Sequence, residues 1–138
     1  MMKINDVFEY HEEINLSKYL IDETNSEDCL YSLHSVVVHK GNINSGHYYA
    51  FIKPTVEDSW LKFNDESVRP ASKVEALQNN FGGIFINYTL LEKNIYENKS
   101  LNDSNAYILI YIQNSARSSI LQPLDLTTDV NSSDYLDF

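Results

Sequence analysis

The chain has 138 residues, of which 43% are apolar and 12% aromatic, so it is long enough to bury the core of one domain. Its formal net charge of −10 argues against nucleic acid as a partner, because phosphate recognition needs a basic surface. No apolar run is long enough for a membrane span, and the first residues are unlike a secretory signal, so we expect no membrane partner. The single cysteine excludes an internal disulfide framework, and we expect a cytoplasmic or nuclear setting.

Two segments precede the part of the chain that is richest in sheet-forming residues. KINDVFEY, residues 3–10, alternates aromatic and charged side chains near its end and predicts a short strand. EEINLSKYL, residues 12–20, has a few spaced apolar positions and predicts a short helical or irregular segment. The polar, acidic residues 22–28 predict a loop.

Three strands are predicted in the centre of the chain. LYSLHSVVVH is rich in β-branched and aromatic residues, HYYAFIK follows the loop KGNINSG, and WLKF follows a turn at residues 54–59. Short connections of this kind favour antiparallel pairing of successive strands. We therefore expect an antiparallel meander over residues 30–63.

A short helix is predicted after the third strand. Ser72 and Glu75 have the spacing of a capping box, in which a serine hydroxyl accepts a backbone N–H of the first helical turn. Gly82 and Gly83 follow the apolar stretch VEALQNNF, and glycine is the residue that most often ends a helix.

The last third of the chain is predicted to hold one more strand. We interpret residues 87–105 as a polar surface insertion. AYILIYI, residues 106–112, is almost continuously apolar, and this pattern predicts a strand buried on both faces. One or two helical turns are expected after Gln113, and residues 121–138 are predicted to form an acidic, mobile tail.

The histidine that follows the central loop is the first candidate for chemistry. A general base needs an adjacent nucleophile, a group that fixes its tautomer and an open approach, and imidazole titrates near neutral pH. His47 directly follows Gly46, whose missing side chain would let an extended substrate pass close to the backbone. Strand pairing across the next hairpin would bring Asn64 or Asp65 level with His47. The alternative is a histidine that is packed or hydrogen-bonded for structure alone.

The other histidines and the cysteine are weaker candidates. His34 lies among apolar residues and is expected in the core, His39 ends the same strand and could brace the loop, and His11 is expected to be exposed. Cys29 lies at the edge of an acidic loop, where neighbouring carboxylates disfavour a reactive thiolate. We therefore interpret Cys29 as structural.

Four segments together resemble the ubiquitin-specific proteases, which are papain-like cysteine peptidases that release ubiquitin from its conjugates. They are YSLHSVVVHKG, GHYYAFIK, WLKFND and NAYILIY, in the order of the family's motifs. KINDVFEY and VEALQNNFGG are most similar to the herpesvirus-associated subfamily. The resemblance implies an α+β fold with an antiparallel palm-type sheet and short helices, of which residues 1–120 would be the C-terminal, histidine-box part of the catalytic domain.

The resemblance also implies roles for individual residues. His47 matches the catalytic histidine, Asn64 matches the residue that orients it, and Asp65 matches an assisting acidic neighbour. The subfamily usually has aspartate at the position of Asn64, so the resemblance leaves open which of the two does the orienting.

A channel for the C-terminal tail of ubiquitin is implied beside the histidine. Because successive strand residues face opposite ways, core packing is expected for one of the two tyrosines that follow His47. The residues expected to border or support this channel are Asn44, Ser45, Gly46, Tyr48 and Tyr49.

The family nucleophile has no counterpart in the sequence. It is a cysteine in a separate upstream segment, and the family's zinc-binding cysteines are also missing, so we expect no metal and no cofactor. The expected function is the general-base part of a cysteine deubiquitinase that cleaves after the last glycine of ubiquitin, inactive without the N-terminal remainder of the catalytic domain. Ubiquitin or ubiquitinated proteins are the expected partners. The alternatives are a non-catalytic ubiquitin-binding module or pseudoenzyme, and an unrelated β-rich interaction domain.

Overall fold

The computed structural model of the chain describes residues 2–21, 28–57, 59–91 and 94–123. The strands in this part of the chain are β1 (Glu13–Asn15), β2 (Leu30–Gly41), β3 (Gly46–Ile52), β4 (Leu61–Asn64), β5 (Ser67–Pro70), β6 (Ile84–Leu91), β7 (Asn94–Leu101) and β8 (Ser104–Gln113). The α-helices there are α1 (Lys73–Ala76) and α2 (Arg117–Ile120), and short 3-10 helices lie at Ser17–Tyr19 and Gln78–Asn80. No helix among the described residues is long and apolar enough to cross a membrane.

A six-stranded antiparallel sheet is organised around β2, which is 12 residues long. On one edge, β1 pairs with the start of β2 and β3 pairs with its second half. On the other edge, β8 pairs with β2 from Tyr31 to Lys40. The strands β3, β4 and β5 follow in order, and β6 with β7 forms a separate two-stranded hairpin. The predicted antiparallel meander is therefore confirmed, and β5 extends it by one strand that the sequence did not predict.

The core lies on one face of this sheet. It contains Leu33, Val36, Val38 and Phe51, which are at most 1% exposed, together with the buried Trp60, which directly precedes β4. Fully burying side chains of this size is the main stabilising contribution in a small domain. Ala76 and Leu77, at the end of α1, belong to the same buried cluster.

The helix α1 has side-chain hydrogen bonds at both of its ends, of which the one at its C-terminal end connects it to the core. The Ser72 hydroxyl accepts the backbone N–H of Glu75 at 3.1 Å, as the sequence predicts. At the other end the Tyr10 hydroxyl donates to the carbonyls of Ala76 and Leu77 at 3.1 and 3.2 Å. The N-terminal segment is thereby anchored to the helix.

The prediction of a strand at residues 3–10 is wrong. This segment is irregular and is held by isolated hydrogen bonds: the Phe8 N–H donates to the Phe81 carbonyl at 2.9 Å, and the Gly83 N–H donates to the Asn5 carbonyl at 2.8 Å. Two single bonds to a loop do not make the repeated ladder that defines a strand.

The prediction that residues 106–112 are buried on both faces is also wrong. Tyr107, Ile108 and Ile110 of β8 are 51%, 55% and 46% exposed, whereas Ala106 and Leu109 pack against the core. The first three lie on the face opposite the core. The apolar segment therefore contributes one face to the core and leaves its other face exposed.

Residues 87–105 were predicted to form a polar surface insertion, and the structure describes strands within them. Most of them belong to the hairpin of β6 and β7, and the last ones turn back into the fold, where Asn102, Ser104 and Asn105 are buried. The Asn102 side chain donates to the Asn79 carbonyl at 3.1 Å and accepts the Ser104 N–H at 3.1 Å. Buried polar groups need hydrogen-bond partners, and these two bonds supply them for the Asn102 side chain.

Further predictions concern the end of the helical residues, the C-terminal part of the chain and one loop. The helical turn expected after Gln113 is α2, and Gly82 and Gly83 both have positive φ, at +74° and +80°, beyond the end of the helical residues. Most of the predicted acidic loop (residues 22–27) and most of the predicted tail (residues 124–138) lie outside the described residues.

The imidazole of His39 fills the space beside Gly46. A Cβ built on Gly46 would lie 2.0 Å from His39 Nε2 and 2.9 Å from the Lys40 carbonyl oxygen. Both distances are shorter than van der Waals contact, so a side chain at this position would force the His39 ring or the strand backbone to shift. His39 and Tyr48 pair across the strands, and their rings are 4.6 Å apart on the face opposite the core.

We predict that Leu33→Ala lowers the free energy of unfolding by about 2–5 kcal/mol, because it leaves a cavity in a buried core. Ile108→Ala should lower it by less than about 1 kcal/mol, because the outer face of β8 is exposed. Urea unfolding of the two variants measures both values. Similar losses would mean that the outer face of β8 is packed as tightly as the core.

We predict that Gly46→Ala destabilises the fold by about 1–3 kcal/mol, because the new methyl group collides with the His39 ring. The double variant His39→Ala, Gly46→Ala should recover part of this loss, since the Lys40 carbonyl still lies close. Thermal unfolding of the singles and the double gives the coupling between the two sites. Strictly additive losses would contradict the proposed contact.

Candidate active site

The loop that precedes His47 is organised by one side chain. The Asn42 Oδ1 accepts the backbone N–H groups of Asn44 and Ser45, each at 2.9 Å, and the Asn42 N–H donates to the Ser45 carbonyl at 2.9 Å. Asn and Asp side chains commonly stabilise tight turns in this way. The backbone donors of Asn44 and Ser45 are therefore engaged within the loop, while their side chains are exposed.

His47 and Asn64 are brought together by the pairing of β3 with β4. Ala50 lies opposite Phe63, and continuing this register places Asn64 opposite Tyr49. His47 is then the diagonal neighbour of Asn64 on the same face, a separation that long side chains can bridge. The Nε2 atom of His47 lies 2.5 Å from Asn64 Oδ1.

This contact determines the tautomer of the ring. An amide oxygen only accepts hydrogen bonds, so Nε2 must carry the proton that is shared with Asn64. In the neutral ring, Nδ1 then holds the lone pair. The His47 side chain is 47% exposed, so Nδ1 can be approached from outside. An imidazole held in this way, with half of its side chain exposed, has the orientation that a general base requires.

Asp65 lies beside the same ring nitrogen but is less closely bound. It occupies the two-residue turn between β4 and β5 with φ of +51°, a conformation that aspartate tolerates better than most residues. Its carboxylate is 3.7 Å from His47 Nε2 and its side chain is 75% exposed. Water screens such a pair strongly, so the hydrogen bond to Asn64 is the interaction that fixes the ring.

Tyr49 shares the face of His47 and supports it from the core. The two ring centroids are 6.2 Å apart, and the Tyr49 hydroxyl donates to Asn80 Oδ1 at 3.3 Å. The Lys62 ammonium lies 4.1 Å from the centroid of the Tyr49 ring. Burial raises the pKa of Tyr49, which keeps the phenol neutral as a hydrogen-bond donor.

Tyr48 lies on the opposite face of the sheet. Its side chain is 56% exposed, and its ring is 5.8 Å from the ring of Tyr107 as well as in contact with His39. Of the two tyrosines expected at the channel, the structure therefore places only Tyr49 beside the imidazole of His47.

Three residues at the site were not predicted from the sequence. Asn80 is 2% exposed, and its amide nitrogen donates to the carbonyls of Glu75 and Ala76 at 2.9 Å, which fixes its oxygen toward Tyr49. Lys62 is partly buried, and burial lowers its pKa, although the carboxylate of Glu75 opposes this effect from 3.8 Å. Only the third residue, Asn42, had a usable signal, namely an Asn two positions before a polar loop residue.

Cys29 is far from the site. It is buried and precedes the first residue of β2, whereas Lys40, at the other end of β2, pairs with His47. The length of that strand puts more than about 30 Å between the two ends. The thiol of Cys29 therefore cannot reach the imidazole of His47.

The other three histidines do not contact His47 Nδ1. His11 is exposed and His34 is half-buried. His39 is buried on the opposite face of the sheet, beside Gly46 and Tyr48, and burial lowers its pKa. The expectation that His39 braces the loop corresponds to its contact with Gly46.

Comparisons with known proteins found similar sequences and a similar fold. A family model described as Ubiquitin carboxyl-terminal hydrolase matches residues 1–111. The chain is 42% identical over 135 residues to Ubiquitin C-terminal hydrolase 12 of Arabidopsis thaliana, an alignment that covers 91% of this chain and 12% of that protein. It is 38% identical over 138 residues to Ubiquitin carboxyl-terminal hydrolase 7 of Drosophila melanogaster, covering 99% of this chain and 11% of that protein.

A solved chain from the structure of the SAGA Ubp8/Sgf11/Sus1/Sgf73 DUB module matches with a TM-score of 0.53 and 28% identity, over 81% of this chain and 20% of that chain. The expected α+β fold, with an antiparallel palm-type sheet and short helices, is confirmed by this match and by the strand order. The chain thus spans 12% and 11% of the length of the two curated relatives named above. It belongs to the ubiquitin carboxyl-terminal hydrolase family.

Proposed function

We propose that this chain supplies the general base of a cysteine-type deubiquitinase. The observation that carries the proposal is the 2.5 Å contact between His47 Nε2 and Asn64 Oδ1, which leaves Nδ1 free of that contact at the beginning of β3. Family membership supplies the reaction class, and the relatives bear the name ubiquitin hydrolase. Within the family, KINDVFEY and VEALQNNFGG support the herpesvirus-associated subfamily.

The nucleophile is proposed to come from a segment outside these residues, because Cys29 lies at the wrong end of β2. His47 Nδ1 takes the proton of that cysteine, and the thiolate attacks the carbonyl carbon of the last glycine of ubiquitin. The resulting imidazolium protonates the leaving lysine amine as the carbon–nitrogen bond breaks. A water molecule, deprotonated by His47, then hydrolyses the thioester and releases ubiquitin and the thiol.

The same residues suggest how the charged form of the ring is held. When His47 is protonated, Nε2–H still donates to Asn64, and the carboxylate of Asp65 at 3.7 Å adds a modest attraction. The exposed side chains of Asn44 and Ser45 border the approach to His47 and are proposed to contact the C-terminal tail of ubiquitin.

A second candidate function is a non-catalytic ubiquitin-binding module. It is favoured by the position of the only cysteine in the sequence, which cannot act with His47. One measurement distinguishes the two functions, namely turnover of a ubiquitin substrate by the complete protein that contains this chain. Binding without turnover by that protein would favour the second.

We predict that His47→Ala in the complete catalytic domain lowers kcat for a fluorogenic ubiquitin C-terminal amide by about 1000-fold or more, because the general base is lost. Ubiquitin binding, measured by calorimetry, should persist. His11→Ala is the matched control, since His11 is exposed and does not contact the site. Activity of His47→Ala within about threefold of the parent would contradict the assignment.

We predict a graded loss at the two orienting positions. Asn64→Ala should lower kcat less than His47→Ala does, because the base remains but its ring is free to rotate. Asp65→Ala should lower kcat less than Asn64→Ala, because its carboxylate is exposed and 3.7 Å away. Steady-state kinetics of the three variants gives the order. A larger loss at Asp65 than at Asn64 would reverse the roles assigned to them.

A further inference from the structure

The loop between β2 and β3 has little packed support behind it. A cleft of about 390 Å³ lies there, between the N-terminal segment, the loop and the end of the β6–β7 hairpin. Asn42 and Ile43 of the loop line this cleft and are exposed. A loop that faces a cleft must be held by specific bonds if it is to keep one conformation.

The Lys3 ammonium provides such bonds. Its Nζ donates to the Asp103 carbonyl at 2.7 Å, to the Gly41 carbonyl at 2.8 Å and to the His39 carbonyl at 3.3 Å. An ammonium has three N–H donors, so these three carbonyls use all of them. Hydrogen bonds from a charged donor are stronger than those from a neutral one.

These carbonyls lie at the point where the sheet ends. The ladder between β2 and β8 finishes with Lys40 opposite Ser104, and the Gly41 N–H then donates to the Asp103 carbonyl at 3.1 Å. Beyond that pair, β8 offers no further strand residue to Gly41. At this point the Gly41 carbonyl accepts a hydrogen bond from the Lys3 ammonium instead of from a further strand residue.

The position of the bonds relates Lys3 to the site. His39 and Gly41, whose carbonyls it binds, flank Lys40, and Lys40 is the residue of β2 that pairs with His47. Movement of this end of β2 would therefore displace the backbone of His47 and the start of the loop together. A displacement of about 1 Å at a catalytic group can cost up to about a hundredfold in rate.

We propose that Lys3 is a positioning residue of the active site, which acts by tying the ends of β2 and β8 together and so fixes the loop and the backbone of His47. The inference rests on the proposed function of His47. The position suits lysine better than arginine, because three carbonyls around one nitrogen match an ammonium, whereas a guanidinium is planar.

The test is Lys3→Met in the complete catalytic domain, assayed well below its unfolding temperature. We expect kcat for the fluorogenic ubiquitin amide to fall about tenfold, with a smaller rise in KM. Hydrogen exchange should become faster at the Gly41 N–H and at the N–H groups of Asn44 and Ser45. Lys18→Met is the matched control, since Lys18 is exposed and its ammonium lies 4.9 Å from the ring of Tyr19.

A second variant separates positioning from folding. Lys3→Arg keeps the charge and part of the hydrogen bonding, so its kcat should lie between those of the parent and Lys3→Met, and it serves alone if Lys3→Met does not fold. If the Lys3 variants unfold at a lower temperature but keep the parent kcat and the parent hydrogen exchange of the loop, the positioning role is overturned and Lys3 is structural only.

The outcome is distinguishable from failure of the proposed function. If His47→Ala abolishes turnover and Lys3→Met behaves like Lys18→Met, the function stands and the inference about Lys3 is wrong. If the parent protein does not cleave the ubiquitin substrate, the proposed function fails, and faster exchange in the loop of Lys3→Met would support only the tether, not a role in catalysis.

Discussion

The hydrogen-bonded register of three neighbouring strands is the constraint on which the site depends. The pairing of β2 with β3 places His47 opposite Lys40, and the pairing of β3 with β4 leaves Asn64 one diagonal step from His47. No single side chain creates this juxtaposition. It follows from the backbone hydrogen bonds between the strands. The core on the same face stabilises this pairing, because the register of each strand also decides which of its side chains are buried.

The two faces of the sheet have different roles. The core face carries Phe51 and Tyr49 and ends at His47, so the imidazole belongs to the rim of the packed face rather than to a separate surface. The opposite face carries Tyr48 and an exposed row of aromatic and aliphatic side chains from β8. Contacts made on one face of the sheet are therefore separated from contacts made on the opposite face by the thickness of the sheet.

Local sequence patterns predicted the fold where local physics decides the structure. The strands of the meander and the Ser72 cap follow from β-branched runs, short turns and a hydroxyl at the right spacing. Residues 3–10 were predicted wrongly because their pattern is that of a strand, whereas distant loop partners decide their structure. The burial of β8 was overestimated because apolar composition cannot show whether a second layer is present. At the site, the resemblance indicated His47 and Asn64. Lys3 and Asn80 could not be predicted, because their hydrogen-bond partners lie far away in the sequence and no local pattern indicates them.

The alternation of His47 and Tyr48 across the sheet has a consequence for changes in chain length. Insertions or deletions confined to the loop after β2 can leave the strand pairing in place. One residue removed between His47 and Phe51 would keep Phe51 in the core but carry the imidazole through the sheet to the side of His39. The number of residues between His47 and Phe51 is therefore fixed, because a change of one residue moves His47 to the other face of the sheet. We expect related chains to vary in length before Gly46 and to keep a constant spacing from His47 to the core.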